Sequence, residues 1–155
     1  MTARELQDAL VADLMRLFKS RRYKTPYGAK GALSFFAQNL PKRQSEYDDD
    51  PFPYVIVRLD SGAIDTQTDP HKVAVVLLVG VYDDGLDNQG HRTVLEIMEM
   101  IQKHYEEKPL LAKQFVFCDP FRWVLQDEES YPYFFGAAEV TFELPAPRRE
   151  WSKLV

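Results

Sequence analysis

His71-Lys72-Val73-Ala74-Val75-Val76-Leu77-Leu78-Val79-Gly80-Val81-Tyr82 is the stretch on which the fold turns. Val73, Val75, Leu77, Val79 and Val81 alternate with Ala74, Val76, Leu78 and Gly80. Successive side chains of a strand point to opposite faces, so a strand here is apolar on both. Such a strand belongs at the centre of a sheet, or lies with its outer face against another chain.

Upstream, Tyr54 to Asp60 reads as another strand, with Val55, Val57 and Leu59 on one face, Arg58 and Asp60 on the other, and Ser61-Gly62 at its end. Downstream, Asp83 to Gly90 is a turn-rich loop. A helix then runs from about Gln89 to Glu107, burying Val94, Ile97, Met98, Ile101 and Tyr105, and Pro109 stops it. Trp123 to Gln126 reads as a short third strand. Tyr133 to Leu144 reads as a fourth, with Phe134, Gly136, Ala138, Val140, Phe142 and Leu144 inward and Glu139, Thr141 and Glu143 outward.

At the other end of the chain, Thr2-Ala3-Arg4-Glu5 has the spacing of a capping box. Leu6, Leu10, Leu14, Leu17 and Phe18 follow at helical spacing, with Val11 and Met15 widening the stripe, which predicts a helix from Ala3 to about Lys19. Residues 20–50 are irregular, punctuated by Pro26, Gly28, Gly31 and Pro41. Within them Leu33 to Gln38 forms a short strand or a helical turn, two readings that a short apolar run leaves open. Residues from about 145 to 155 read as a solvated, flexible tail carrying Trp151. The expectation is one α+β domain over residues 1–155, in the order helix, strand, strand, helix, strand, strand. Short connections favour an antiparallel sheet of four strands or slightly more, with both helices on one face.

Composition narrows the function classes. The chain has 155 residues, 45% of them hydrophobic and 28% charged, a globular balance with enough length for a core. No apolar run approaches the ~18 residues of a membrane span. The charged start Met1-Thr2-Ala3-Arg4-Glu5 does not read as a secretion signal, so a cytoplasmic protein is expected. A net charge of −5 argues against electrostatic nucleic-acid binding. The densest basic stretch, Lys19 to Lys24, is explained by a helix C-terminus. Cys118 is the only cysteine, which excludes an internal disulfide, and it lies in an apolar run where cysteine acts as a small hydrophobe.

No catalytic constellation is visible. Asp83, Asp84, Asp87 and His91 are close in sequence, but their spacing matches no calcium loop, and Asp before a helix has an ordinary capping role. Asp48-Asp49-Asp50 reads as a solvated run. His71, His91 and His104 have no nucleophile context, and there is no Gly-x-Ser-x-Gly elbow or phosphate loop. Neither a cofactor nor a metal is implied. Aromatic residues are more informative, at 13% of the chain, with Phe121 and Trp123 among many outside the predicted core stripes. They either plug the ends of the sheet or face a partner, since interface cores are rich in Tyr, Trp and Phe. The candidates for an oligomer or partner surface are Phe52, Tyr54, Val76, Leu78, Tyr82, Tyr131, Tyr133, Phe135 and Trp151.

Three stretches carry a family likeness: Asp50 to Gly62; Val79 to Asp83 with Asp87 to Gly90 and the following helix; and Tyr131 to Ala137. Together they resemble the tail terminator, or tail completion, proteins of long-tailed bacteriophages and prophages, over about Leu33 to Glu150. The resemblance implies a small α/β structural subunit that forms a ring, typically a hexamer. That ring ends the tail tube and joins it to the head, in a virion assembled in the bacterial cytoplasm. The implied partners are further copies of the chain, the tail tube protein and head-tail connector proteins. DNA would pass through the channel without sequence-specific binding, and no membrane is involved. No catalytic residue is implied. A different neck or head-tail joining protein would read similarly. Outside this class stand a monomeric adaptor binding a peptide at an open sheet edge and, further off, a metal-dependent hydrolase using Asp83, Asp84, Asp87 and His91.

Overall fold

A computed structural model describes residues 2–46 and 50–145. Its elements are α1 (Ala3–Leu17), β1 (Ser34–Ala37), β2 (Tyr54–Ala63), β3 (His71–Tyr82), α2 (His91–Glu107), β4 (Leu110–Leu111), β5 (Phe115–Leu125) and β6 (Tyr133–Leu144). The strands form one six-stranded sheet in the order β1-β2-β3-β6-β5-β4. β3 is central, as its two apolar faces require, with β2 and β6 antiparallel on either side.

Both helices lie on one face of the sheet. Leu6, Leu10 and Leu14 of α1 and Val94, Ile97 and Ile101 of α2 share one core with Val73, Val75, Leu77, Val79 and Val81. β6 adds Ala138, Val140 and Phe142 to it. The sheet curls around the helices and brings β4, at the far edge from β1, against α1.

Local chemistry explains the helix ends. Thr2 is extended (φ −126°, ψ 163°) and its hydroxyl accepts the Glu5 N–H at 3.2 Å. α1 ends at Leu17, two residues before the predicted limit of Lys19, and Met15 turns outward at 56% exposure rather than widening the buried stripe. α2 begins at His91, not Gln89, with Gly90 at its cap. A Cβ at position 90 would collide with the ring of Phe134, so glycine there lets the helix start close over β6.

The sheet differs from the expected four strands in three ways. Leu33 to Gln38 resolves as a strand, β1, which pairs parallel to β2 and makes the sheet mixed. The two-residue β4 adds the opposite edge. The third predicted strand is β5, which begins at Phe115 rather than Trp123. Asp119-Pro120 breaks its apolar alternation, and a register shift between Cys118 and Arg122 carries the strand past the proline. Similarly β2 does not stop at Ser61-Gly62 but runs to Ala63 through a shift between Leu59 and Ser61. The four predicted strands are present as β2, β3, β5 and β6, and they pair antiparallel with one another. Asp48, Asp49, Trp151 and nearly all of the predicted tail lie outside the described residues.

Candidate interaction surface

The sheet face turned away from the helices is built by the alternate residues of the same strands. Pairing registers align them in rows across β1, β2, β3, β6 and β5. One row reads Phe36, Ile56, Leu78, Ala137, Val124, apolar from edge to edge. The next on one side reads Tyr54, Gly80, Phe135. On the other side Arg58, Val76, Glu139 and Arg122 put charge at both flanks of one valine. Beyond it Lys72 and Glu143 pair at 3.7 Å. The surface is an apolar band with a charged border.

Aromatic rings gather at one end of the band. Phe52 has its ring centroid 5.0 Å from Tyr54, 4.6 Å from Tyr133 and 5.7 Å from Phe135, and Tyr133 lies 5.7 Å from Tyr82. Gly80 makes this possible, since a Cβ there would stand 2.5 Å from Cζ of Tyr54. With no side chain at position 80, the Tyr54 ring fills that space, and burial raises its hydroxyl pKa above the usual tyrosine value. Beside the cluster, Leu78, Val124, Phe135 and Ala137 line a shallow apolar hollow of about 210 Å³.

Of the residues singled out from sequence, Phe52, Tyr54, Val76, Leu78, Tyr82, Tyr133 and Phe135 come together on this face. Tyr54 is itself buried, so it supports Phe52 rather than offering surface. Tyr131 stands apart in the turn before β6, where its hydroxyl donates to the Asp84 carbonyl at 2.7 Å. Trp151 lies outside the described residues. Phe36, Ile56, Ala137 and Val124 belong to the band but were not singled out. Alternation within the predicted strands could have found Ile56 and Ala137, whereas Phe36 needed β1 to be known as a strand and Val124 needed the register.

The acidic loop has other commitments. Asp83 bonds Lys24 Nζ at 2.9 Å and accepts the Gly85 N–H at 2.9 Å. Slight burial would push its carboxyl up, but these bonds and the lysine charge outweigh it and hold the pKa below the usual range. His91 faces a different hollow, of about 430 Å³, beside Asp127, Glu128 and Glu129. Among the described residues no group of three or more His, Cys, Asp or Glu is placed to hold a metal ion. His104 bonds Asp13 at 2.8 Å and ties α2 to α1. Cys118 sits half-buried on the open face, opposite Thr141, with burial and the nearby Glu143 raising its thiol pKa. No described helix is long and apolar enough to cross a membrane.

No protein-family model matches the chain, and no curated protein matches it.

Proposed function

We propose that this chain is a structural assembly subunit of a long-tailed phage or prophage, forming a ring that terminates the tail tube and joins it to the head. The observation that carries the reading is the apolar row across the open sheet face, half-buried at Leu78 and exposed at Val124, with its aromatic cluster at one end and its charged border. An apolar sheet face that ends in exposed side chains at its edge is a surface on which another protein can seat. The motif resemblance over Asp50 to Gly62, Val79 to Asp83 with Asp87 to Gly90, and Tyr131 to Ala137 supplies the phage context. On this reading the chain is no enzyme, carries no cofactor, and works in the virion after assembly in the bacterial cytoplasm. The acidic excess suits a channel wall along which DNA slides without sticking.

Light scattering over a wide concentration range tests the reading. A species near six times 18.0 kDa, or a monomer moving toward it, supports a closed ring. Purified tail tubes provide the second arm, in which capping at one tube end is expected. A chain that stays monomeric and leaves tubes uncapped overturns the reading.

One observation favours a second reading, a monomeric adaptor binding an extended peptide. β4 pairs with β5 only at Phe115 and Val116, and the Phe117 N–H bonds the Pro109 carbonyl, so among the described residues the outer edge of β5 is open for strand addition at its far end, Trp123 to Leu125. An adaptor would bind one peptide per monomer and never multimerise.

A further inference from the structure

The two lateral edges of the sheet match each other. β1 occupies the same four rows as the end of β5: Ala37 lies in the row of Trp123, Phe36 with Val124, Phe35 with Leu125, and Ser34 with the Gln126–Phe135 bond. Three antiparallel steps separate β5 from β2, and β1 runs parallel to β2, so β1 and β5 point in opposite directions.

Their outward backbone groups also match. The Gln126 N–H bonds Phe135, so by alternation Trp123 and Leu125 direct their N–H and C=O away from the sheet. On β1 the N–H groups of Ser34 and Gln38 turn inward to Pro53 and Val57, leaving Phe35 and Ala37 outward. Among the described residues, only the Asn39 N–H, on the Ala37 carbonyl at 2.8 Å, bonds to these outward groups. Trp123 and Val124 are 55% and 62% exposed at this edge. Natural sheets blunt open edges, and the free part of β2 is blunted: the Gln38 amide accepts the Leu59 N–H and donates to the Leu59 carbonyl. Among the described residues, the end of β5 has no such plug.

The charges are complementary as well. Asp119 and the run Asp127-Glu128-Glu129 bracket the free stretch of β5, while Lys30 and Lys42 bracket β1. Antiparallel docking would set Asp127 to Glu129 beside Lys30, and Asp119 beside Lys42.

We infer that the end of β5 in one copy pairs antiparallel with β1 of the next, residues 123–126 against 34–37, giving a head-to-tail seam that continues the sheet and its apolar row. The choice of a second copy as occupant rests on the assembly reading. The seam is heterologous, so it repeats head to tail, and a rotation that closes makes the repeat a ring.

Cysteine cross-linking tests it in a Cys118→Ser background. Phe36→Cys with Val124→Cys places two thiols on the open face at a non-hydrogen-bonded pair, a spacing that suits a disulfide. Within one chain these positions are four strand steps apart, roughly 19 Å, and cannot bridge. Ser34→Cys with Gln126→Cys is a second pair in the same register, should the first disturb folding. Oxidation is expected to give a ladder of covalent multimers for either pair, and none for Phe36→Cys with Val116→Cys. Asp127→Lys with Glu128→Lys should slow cross-linking at least about tenfold, with recovery when Lys30→Glu and Lys42→Glu are added. A Val124→Cys single variant that dimerises would mean a two-fold seam and overturn the proposal. Multimers by mass without either cross-link would overturn the seam and leave ring assembly standing. A monomer without cross-links also overturns the seam, and tube capping then decides whether the assembly reading falls with it.

Discussion

Gly80 and Tyr54 are direct cross-strand partners, and the tyrosine ring occupies the space that a side chain at position 80 would fill. The pair anchors the aromatic cluster, because Phe52 rests on Tyr54. Gly80→Ala should displace the ring and destabilise the fold by about 1–3 kcal/mol, the usual effect of overpacking. Tyr54→Ala should make the same glycine substitution nearly harmless. A urea-denaturation double-mutant cycle measures the coupling, and additive effects would contradict the account.

Asp13 ties the two helices together through His104 at 2.8 Å and the Tyr105 hydroxyl at 2.9 Å. Burial alone would raise its pKa, but the bonds from His104 and Tyr105, the His104 charge and Arg16 hold it below the ordinary 3.8. A depressed folded-state pKa gives stability that is complete above the unfolded value and fades as pH falls through the folded one. The advantage of the wild type over Asp13→Asn should therefore shrink between about pH 5 and pH 2. Asp13→Ala should cost about 1–3 kcal/mol at neutral pH, since it orphans the hydroxyl of a tyrosine that is only 1% exposed.

Tyr105 has the opposite sign. Burial, then the charge and hydrogen bond of Asp13, raise its pKa well above the ordinary 10.0. The folded state resists ionising it, so this contribution is complete below the unfolded value and is lost as pH rises toward the folded one. Tyr105→Phe should flatten the alkaline limb of the stability profile above about pH 10.

Gln38 stands in for a strand residue. Its side-chain amide bonds both backbone groups of Leu59, while Gln7 bonds Gln38 Oε1 at 3.0 Å and the Val57 carbonyl at 2.8 Å. Gln38→Ala should speed hydrogen exchange at the Leu59 amide and lower stability by about 1–2 kcal/mol. It should also raise aggregation at high concentration by opening the edge. Unchanged exchange at Leu59 would contradict that role.

Leu78 lies at the centre of the apolar row. Leu78→Glu should change stability by about 1 kcal/mol or less, because the site is only half-buried, yet under the proposed assembly role it should abolish self-association or tube capping. Size-exclusion mass against concentration is the measurement.

What could be read from the chain follows from how local each signal is. The two helices and β3 were legible because their patterns are long and periodic over residues adjacent in sequence. β1 was undecidable at four residues, and its parallel pairing depends on where β2 lies rather than on its own composition. β4 has only two residues and carries no periodic signal at all. In β5 the Asp119-Pro120 interruption hid the first half of a continuous strand. The candidate surface was half legible. Phe52, Tyr133 and Phe135 stood out as aromatics, whereas Phe36 and Val124 acquire meaning only from a register that no single stretch contains.

Placing both helices on one side of the sheet gives the subunit two unlike skins, one helical and charged, the other a largely apolar sheet face. Any lateral repeat of such a subunit inherits that polarity without further instruction. Every copy would present its band in the same sense, so a partner that recognises one copy meets the identical footprint at each step around the circumference. A weak contact at one copy would then be multiplied into a firm grip by the whole assembly.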